Sequence, residues 1–150
     1  MHLRGDNGSM PEPFQTTRRV QFRDTDAAGI AHFSVFFAYM EEAEHALWRH
    51  LGLSVKQHDG TDVISWPRVS AQCDYKSPAR FEDLVAIDVR IDRIGEKSVT
   101  FAFDMSIGDR TVAVGKLSAV CCRIPKDGPP TSIPIPDDIR AKLQPHADLP

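Results

Sequence analysis

Two carboxylates, Asp24 and Asp26, stand two positions apart in the segment FRDTDAAGIAHF, where a short alternating stretch gives way to a loop containing Gly29 and then to the longest helical pattern in the chain. This order pairs two chemical tools. The free N–H groups of a helix's first turn, with the positive end of its dipole, stabilise negative charge. Aimed at a carbonyl, such amides form an oxyanion hole, in which losing one donor costs about 10²–10³ in rate. A carboxylate held opposite can attack the same carbonyl or deprotonate the water that does. An ionised aspartate is a weak base, so it suits an activated acyl carbon such as a thioester better than an amide. The same residues also fit ordinary N-capping and turn chemistry, and the local pattern alone leaves both readings open.

The surrounding pattern is one strand, one long helix, then more strands. Residues 18–23 alternate, with Val20 and Phe22 on one face, and predict a strand. A helix is expected from residue 31 or 33 to 51. Phe33, Phe36, Phe37, Met40, Ala43, Leu47 and Leu51 make its apolar stripe, and Glu41, His45 and Arg49 lie opposite. Gly52 sits where a left-handed C-terminal residue belongs. Residues 64–75 read as a further strand interrupted by Pro67, which points to an edge or a bend. Val85, Ile87, Val89 and Ile91 alternate, then Val99, Phe101, Phe103 and Met105, with turns at residues 95–97 and 108–109. The strand at 111–123 changes parity midway, and a bulge near Gly115 would reconcile its halves. One helix cannot cover both faces of such a sheet, but a sheet that curls around its stripe buries it. The fold class is therefore α+β: a curved antiparallel sheet wrapped around one long central helix. Its edge strands invite pairing with a second copy.

The 150 residues are 41% apolar and 26% charged, which excludes wholesale disorder and predicts one domain. A net charge of -3 argues against a nucleic-acid partner. No apolar run approaches the roughly 20 residues of a membrane span, and no signal peptide is evident. Cys73, Cys121 and Cys122 read as reduced apolar fillers, so the expected compartment is the cytoplasm. Residues 1–15 are expected to form a flexible leader, with Met10 a candidate natural start. Residues 16–125 form the domain, and residues 126–150 a Pro-rich extended tail with one short helix near Asp137–Leu143.

The segment VQFRDTDAAGIAHFSVFFAYMEEA resembles the opening motif of the hotdog-fold acyl-CoA thioesterases, in the 4-hydroxybenzoyl-CoA thioesterase-like group. The segment CDYKSPARFEDLVAIDVRI, with its Tyr, then Pro, then Asp before an alternating strand, is similar to a later part of that group. The resemblance spans residues 17–123 and implies a hotdog fold and acyl-CoA hydrolysis. It makes Asp26, three residues before Gly29, the catalytic carboxylate, as base or nucleophile. It assigns polarisation of the thioester carbonyl to a backbone N–H at Phe33, with His32 adjacent, and places Gly29 and Ile30 in the substrate-binding loop. Asp24 falls in a variable slot and is expected to be supporting or solvated. The family implies a homodimer or homotetramer with active sites between subunits, and no metal or redox cofactor, CoA being part of the substrate. Ala31-His32-Phe33 departs from the commonest form, which leaves the acyl group open.

Two other uses of the groove remain: a non-catalytic acyl- or CoA-binding module, and an acyl-thioester hydratase or dehydratase relying on His32. A metal site is not expected. His45 and His50 are about 140° apart on a helix of 3.6 residues per turn, and the Asp24–Asp26 pair lacks a nucleotide-binding setting. Glu41, Glu42 and Glu44 are expected to form a solvated or subunit-facing stripe, although a second hotdog subgroup places its catalytic Glu on that helix; Phe33, Phe36, Phe37 and Met40 are expected to be core, with the helix's first turn able to line an acyl pocket as well. Lys76, Arg80, Arg90, Arg93, Lys97, Lys116 and Arg123 surround the sheet, and no motif selects among them for CoA phosphates.

Overall fold

A computed structural model describes residues 13–147. The leader expected at residues 1–15 and the natural start at Met10 lie mostly outside that range. The described chain begins almost directly with strand β1, Phe14–Arg19. The elements then run α1 (Val35–His50), β2 (Gln57–Asp59), β3 (Asp62–Ser65), β4 (Arg68–Tyr75), β5 (Leu84–Ile94), β6 (Ser98–Ile107), β7 (Arg110–Val120), β8 (Cys122–Ile124), β9 (Thr131–Ser132) and α2 (Asp137–Leu143). One antiparallel sheet has the order β1-β5-β6-β7-β4, and a smaller one the order β2-β3-β8-β9. Among the described residues, no helix is long and apolar enough to cross a membrane.

The strict two-residue period of β5 and β6 has its physical cause in one-sided burial. Val85, Ile87, Val89 and Ile91, with Val99, Phe101, Phe103 and Met105, all lie at 1% exposure or less on the face toward α1. Each such side chain contributes about 1.5–3 kcal/mol relative to exposure. The two sheets are one bent ribbon along the chain. β3 pairs β8 and β4 pairs β7, and both strand runs break together, at Pro67 and at Cys121. The proline removes a ladder donor there, and its carbonyl instead accepts the Val120 N–H at 3.0 Å. The sheet thereby curls over α1, which touches β1, β4, β5 and β7. This is the curved sheet around a central helix that the residue pattern predicts. β4 lies at an edge, as Pro67 suggests.

The helix ends as expected. Gly52 is at φ +73, its N–H reaches Arg49 O at 3.0 Å, and the Leu53 N–H reaches Trp48 O at 2.8 Å, a Schellman closure. Three local expectations are corrected. The first strand ends at Arg19, not at residue 23, because Gln21 and Asp24 bond reciprocally and roll Phe22–Asp24 into a 3₁₀ turn. That turn puts Phe22 outward, 77% exposed, with its ring against Phe81. The bulge in β7 falls at Val112, opposite Met105–Ser106, and not at Gly115. Gly115 instead makes room for α1: a Cβ there would collide with Met40 Sδ and stand 2.9 Å from Gln72 O. Phe33 is exposed rather than core, since α1 begins two residues after it. The short helix expected near Asp137–Leu143 forms as α2, and Ile135, Ile139 and Leu143 pack into the core, where apolar burial outweighs the five prolines.

Candidate functional site

The loop between β1 and α1 is held at several points by its own backbone. The Asp26 N–H donates to Ile30 O at 2.9 Å and the Gly29 N–H to Asp26 O at 2.9 Å, closing a tight turn in which Gly29 takes φ +77. The Ala31 N–H donates to Ala79 O at 2.7 Å, and Ile30 forms a bridge with Arg80, so the loop is laid against residues 79–80. The His32 N–H donates to Asp24 O at 2.8 Å.

These tethers give the two carboxylates different surroundings. Asp24 is buried. Its Oδ2 accepts from the Gln21 N–H at 2.9 Å and the Tyr39 hydroxyl at 2.8 Å, with Arg18 Nη2 at 3.8 Å. Burial, together with this carboxylate, pushes the Tyr39 phenol well above its ordinary range. Asp24 is thus a buried scaffold carboxylate and not a solvated one. Asp26 is half-buried. Its Oδ1 accepts the Ala28 N–H at 2.8 Å, an Asx turn within the loop, and among the described residues Oδ2 has no partner. Asp26 therefore does not cap α1.

The tip of α1 is left without an acid. The N-cap residue Ser34 makes no side-chain cap bond, and no acidic residue stands in the first turn. The Ser34 hydroxyl lies 2.7 Å from His32 Nδ1, which also accepts the Ser34 N–H at 3.3 Å. Around Phe33 nearly every polar group is engaged: His32 O accepts the Val35 N–H at 3.1 Å, and Phe33 O accepts the Tyr75 hydroxyl at 2.8 Å. Among the described residues, the Phe33 N–H has no acceptor.

Asp26, Ile30, His32 and Phe33 line one open groove of about 500 Å³, together with Ala31, Phe36 and the stretch from Tyr75 to Ala79. The structure thus brings together four of the five residues singled out in the sequence. Gly29 shapes the turn beside them. A carboxylate with a free oxygen, an unpaired amide at a helix tip and an apolar wall occupy one cleft, which is the equipment for adding water to an activated carbonyl. Tyr75 and Lys76 belong to the same groove and were not singled out individually. The alternation of β4 assigns Tyr75 a face but not its 2.8 Å reach to Phe33 O.

The helix glutamates divide. Glu41 and Glu42 are exposed, as expected, but Glu44 is fully buried and gripped by Arg68 through two bonds of 2.5 Å each. Burial raises the Glu44 carboxyl above its ordinary value, and the Arg68 guanidinium partly offsets this. Glu41, His45, Trp66, Pro67 and Arg68 line a second hollow of about 530 Å³. It is slightly larger than the first but contains none of the predicted site residues. Burial pushes the Cys121 thiol up to about 11 and raises Cys73 as well, which suits fillers rather than nucleophiles. Among the described residues, no three His, Cys, Asp or Glu side chains are grouped to hold a metal ion.

Comparison with known proteins bears on the family and the fold. The model of the Thioesterase-like superfamily matches residues 20–143. A relative from Aquifex aeolicus, named provisionally as an esterase, is 35% identical over 124 residues, covering 81% of this chain and 92% of its own. A 1,4-dihydroxy-2-naphthoyl-CoA hydrolase from Thermosynechococcus vestitus is 27% identical over 137 residues, covering 89% and 91%. Among solved structures, a gentisyl-coenzyme A thioesterase superposes with a TM-score of 0.74 at 29% identity, covering 87% of this chain and 99% of its own.

Proposed function

This chain belongs to the thioesterase-like superfamily, and from that premise we propose that it is an acyl-CoA thioesterase whose reaction centre is the groove between Asp26 and the tip of α1. The observation that carries the reading is the pairing in one cleft of a carboxylate with a free oxygen and an amide with no acceptor. The thioester carbonyl lies against the Phe33 N–H, which stabilises the negative charge that develops on its oxygen. Asp26 takes a proton from the attacking water and CoA leaves as the thiolate, or Asp26 attacks the carbonyl itself, expelling the thiolate to form a mixed anhydride that water then cleaves to the free acid and the restored carboxylate. Phe33, Phe36 and Tyr75 offer rings to the acyl group. Two relatives carry names that denote hydroxylated aromatic acyl-CoA substrates, so aryl-CoA esters head the substrate screen.

The groove is open to one side, and β4 is an exposed sheet edge with Val69 63% exposed. This supports a homodimer or homotetramer in which a second copy closes the site. No cofactor enters the reaction.

The test is Asp26→Asn with thiol release measured across aromatic, short, long and branched acyl-CoA esters. A loss of at least about 10³-fold in kcat with an unchanged fold supports the role. Full residual turnover removes Asp26 from the chemistry. Acyl-CoA binding by the wild type without thiol release would instead indicate a non-catalytic acyl-binding module.

A further inference from the structure

We infer that Tyr75 is a positioning residue for hydrolysis, its hydroxyl fixing the backbone that presents the Phe33 N–H to the substrate oxygen. The inference rests on the thioesterase reading given above. It starts from the bonding around Phe33. The peptide unit before Phe33 is held by its own carbonyl, His32 O, which accepts the Val35 N–H at 3.1 Å. The peptide unit after Phe33 has its carbonyl, Phe33 O, facing the Tyr75 hydroxyl at 2.8 Å. An amide's direction is set by the torsions on both sides of its residue, because each peptide unit is planar. Only the first of these restraints is supplied locally. The second comes from the end of β4, 42 residues away in sequence.

The second restraint is needed because the stretch is otherwise lightly held. Phe33 is 61% exposed, it precedes the first residue of α1, and Ser34 makes no side-chain cap bond. Tyr75 itself is well placed to hold still. β4 pairs β7 through Tyr75↔Ala113, and the Tyr75 ring meets Phe36 edge-on at 5.5 Å. The sheet edge is thereby bolted to the helix tip beside the groove, and the part fixed by the bolt adjoins the Phe33 N–H, which has no acceptor among the described residues. A preorganised donor needs no reorientation when charge develops on the carbonyl oxygen, and that is the source of its catalytic value.

The test is Tyr75→Phe, which keeps the ring and deletes the hydroxyl. Removing an oxyanion donor outright costs about 10²–10³ in rate, and loosening one is expected to cost about 10-fold in kcat, with KM within about twofold of wild type. The unfolding midpoint should hardly move, since the lost bond is at the surface. Amide hydrogen exchange should quicken at Ser34 and Val35, whose N–H groups are bonded, and not along β4. A variant with wild-type kcat, or one in which only KM rises, overturns the assignment, because a ring that merely lines the groove would act on binding alone. Tyr75→Leu, which removes the ring as well, should raise KM in addition. Wild-type protein that releases no thiol from any ester would overturn the thioesterase reading. Wild-type turnover with an unaffected Tyr75→Phe variant overturns only the role of Tyr75.

Discussion

Replacing Arg68 by Met is expected to destabilise the protein by about 3–5 kcal/mol at neutral pH, the usual result of removing one partner of a buried ion pair. The figure follows from an asymmetry in burial. Glu44 has no exposed surface and both its oxygens are held by Arg68 at 2.5 Å, whereas the Arg68 side chain is 26% exposed and lies 3.7 Å from Glu41. Deleting the arginine strands a carboxylate that cannot reach water. Glu44→Gln leaves instead a guanidinium that can turn to water and Glu41, and should cost only about 1–2 kcal/mol. For a chain of 150 residues, about 2–4 °C per kcal/mol makes the Arg68→Met loss about 6–20 °C in the unfolding midpoint. The pH dependence has a definite sign. Burial holds the Glu44 carboxyl above its ordinary value of 4.5, so the folded state binds that proton more tightly than the unfolded state. Its contribution to stability is complete below about 4.5 and is lost as pH rises through the raised value. Without Arg68 the carboxyl rises further, so the penalty should be larger at pH 8 than at pH 5.5. His45 Nε2 lies 3.8 Å from Glu44, and adding His45→Gln separates its share. Urea unfolding of wild type and both variants at the two pH values is the assay. Equal losses for Arg68→Met and Glu44→Gln, or a penalty independent of pH, would refute the reasoning.

Asp24→Ala should cost about 2–3 kcal/mol by leaving the fully buried Tyr39 hydroxyl and the Gln21 N–H unpaired, which thermal unfolding would read directly. Tyr39→Phe, which deletes the donor as well as its bond, should cost less. Lys76, exposed on the rim of the groove, is suited to a CoA phosphate, so Lys76→Ala should raise KM for an acyl-CoA about 5–10-fold and leave the matching acyl-pantetheine unaffected. Equal effects on the two esters would place the phosphates elsewhere.

The parts of the fold that are legible in the sequence are those with one buried face. β5 and β6 alternate because one side of the sheet meets α1, and α1 keeps its apolar stripe for the same reason. The turn at Gly108 and the helix stop at Gly52 are legible because a positive φ selects glycine. Contacts between distant segments leave no such trace. The buried charge of Glu44 depends on Arg68, 24 residues away, and a glutamate on a helix otherwise reads as solvated. The end of β1 is hidden by the apolar Val20 and Phe22, which continue a strand pattern that the Gln21–Asp24 turn interrupts. In the candidate site the carboxylate, loop glycine and helix start are legible from a compact motif. Tyr75 is not, because strand parity assigns a face without saying which carbonyl a phenol will reach.

The two aspartates of the motif show how the loop can hold a carboxylate with a free oxygen at the groove. A carboxylate left free at a groove must be positioned by something other than its own bonds, because every bond it accepts lowers its readiness to take a proton or attack. Asp24 supplies the fixed point. Its side chain ties the turn to Tyr39 on α1, and its backbone carbonyl holds the His32 N–H at the far end of the loop. The loop is thus pinned at both ends through one buried residue, and Asp26, two positions on, needs only the single Asx bond from Ala28 to be aimed. Exchanging the order of burial would fail: a buried Asp26 would leave the groove without its carboxylate, and an exposed Asp24 would leave the Tyr39 hydroxyl without its acceptor. On extended backbone positions two apart would face the same way, so the division comes from the turns: Asp24 closes the 3₁₀ turn, Thr25 is extended, and Asp26 opens the next turn, beside the groove.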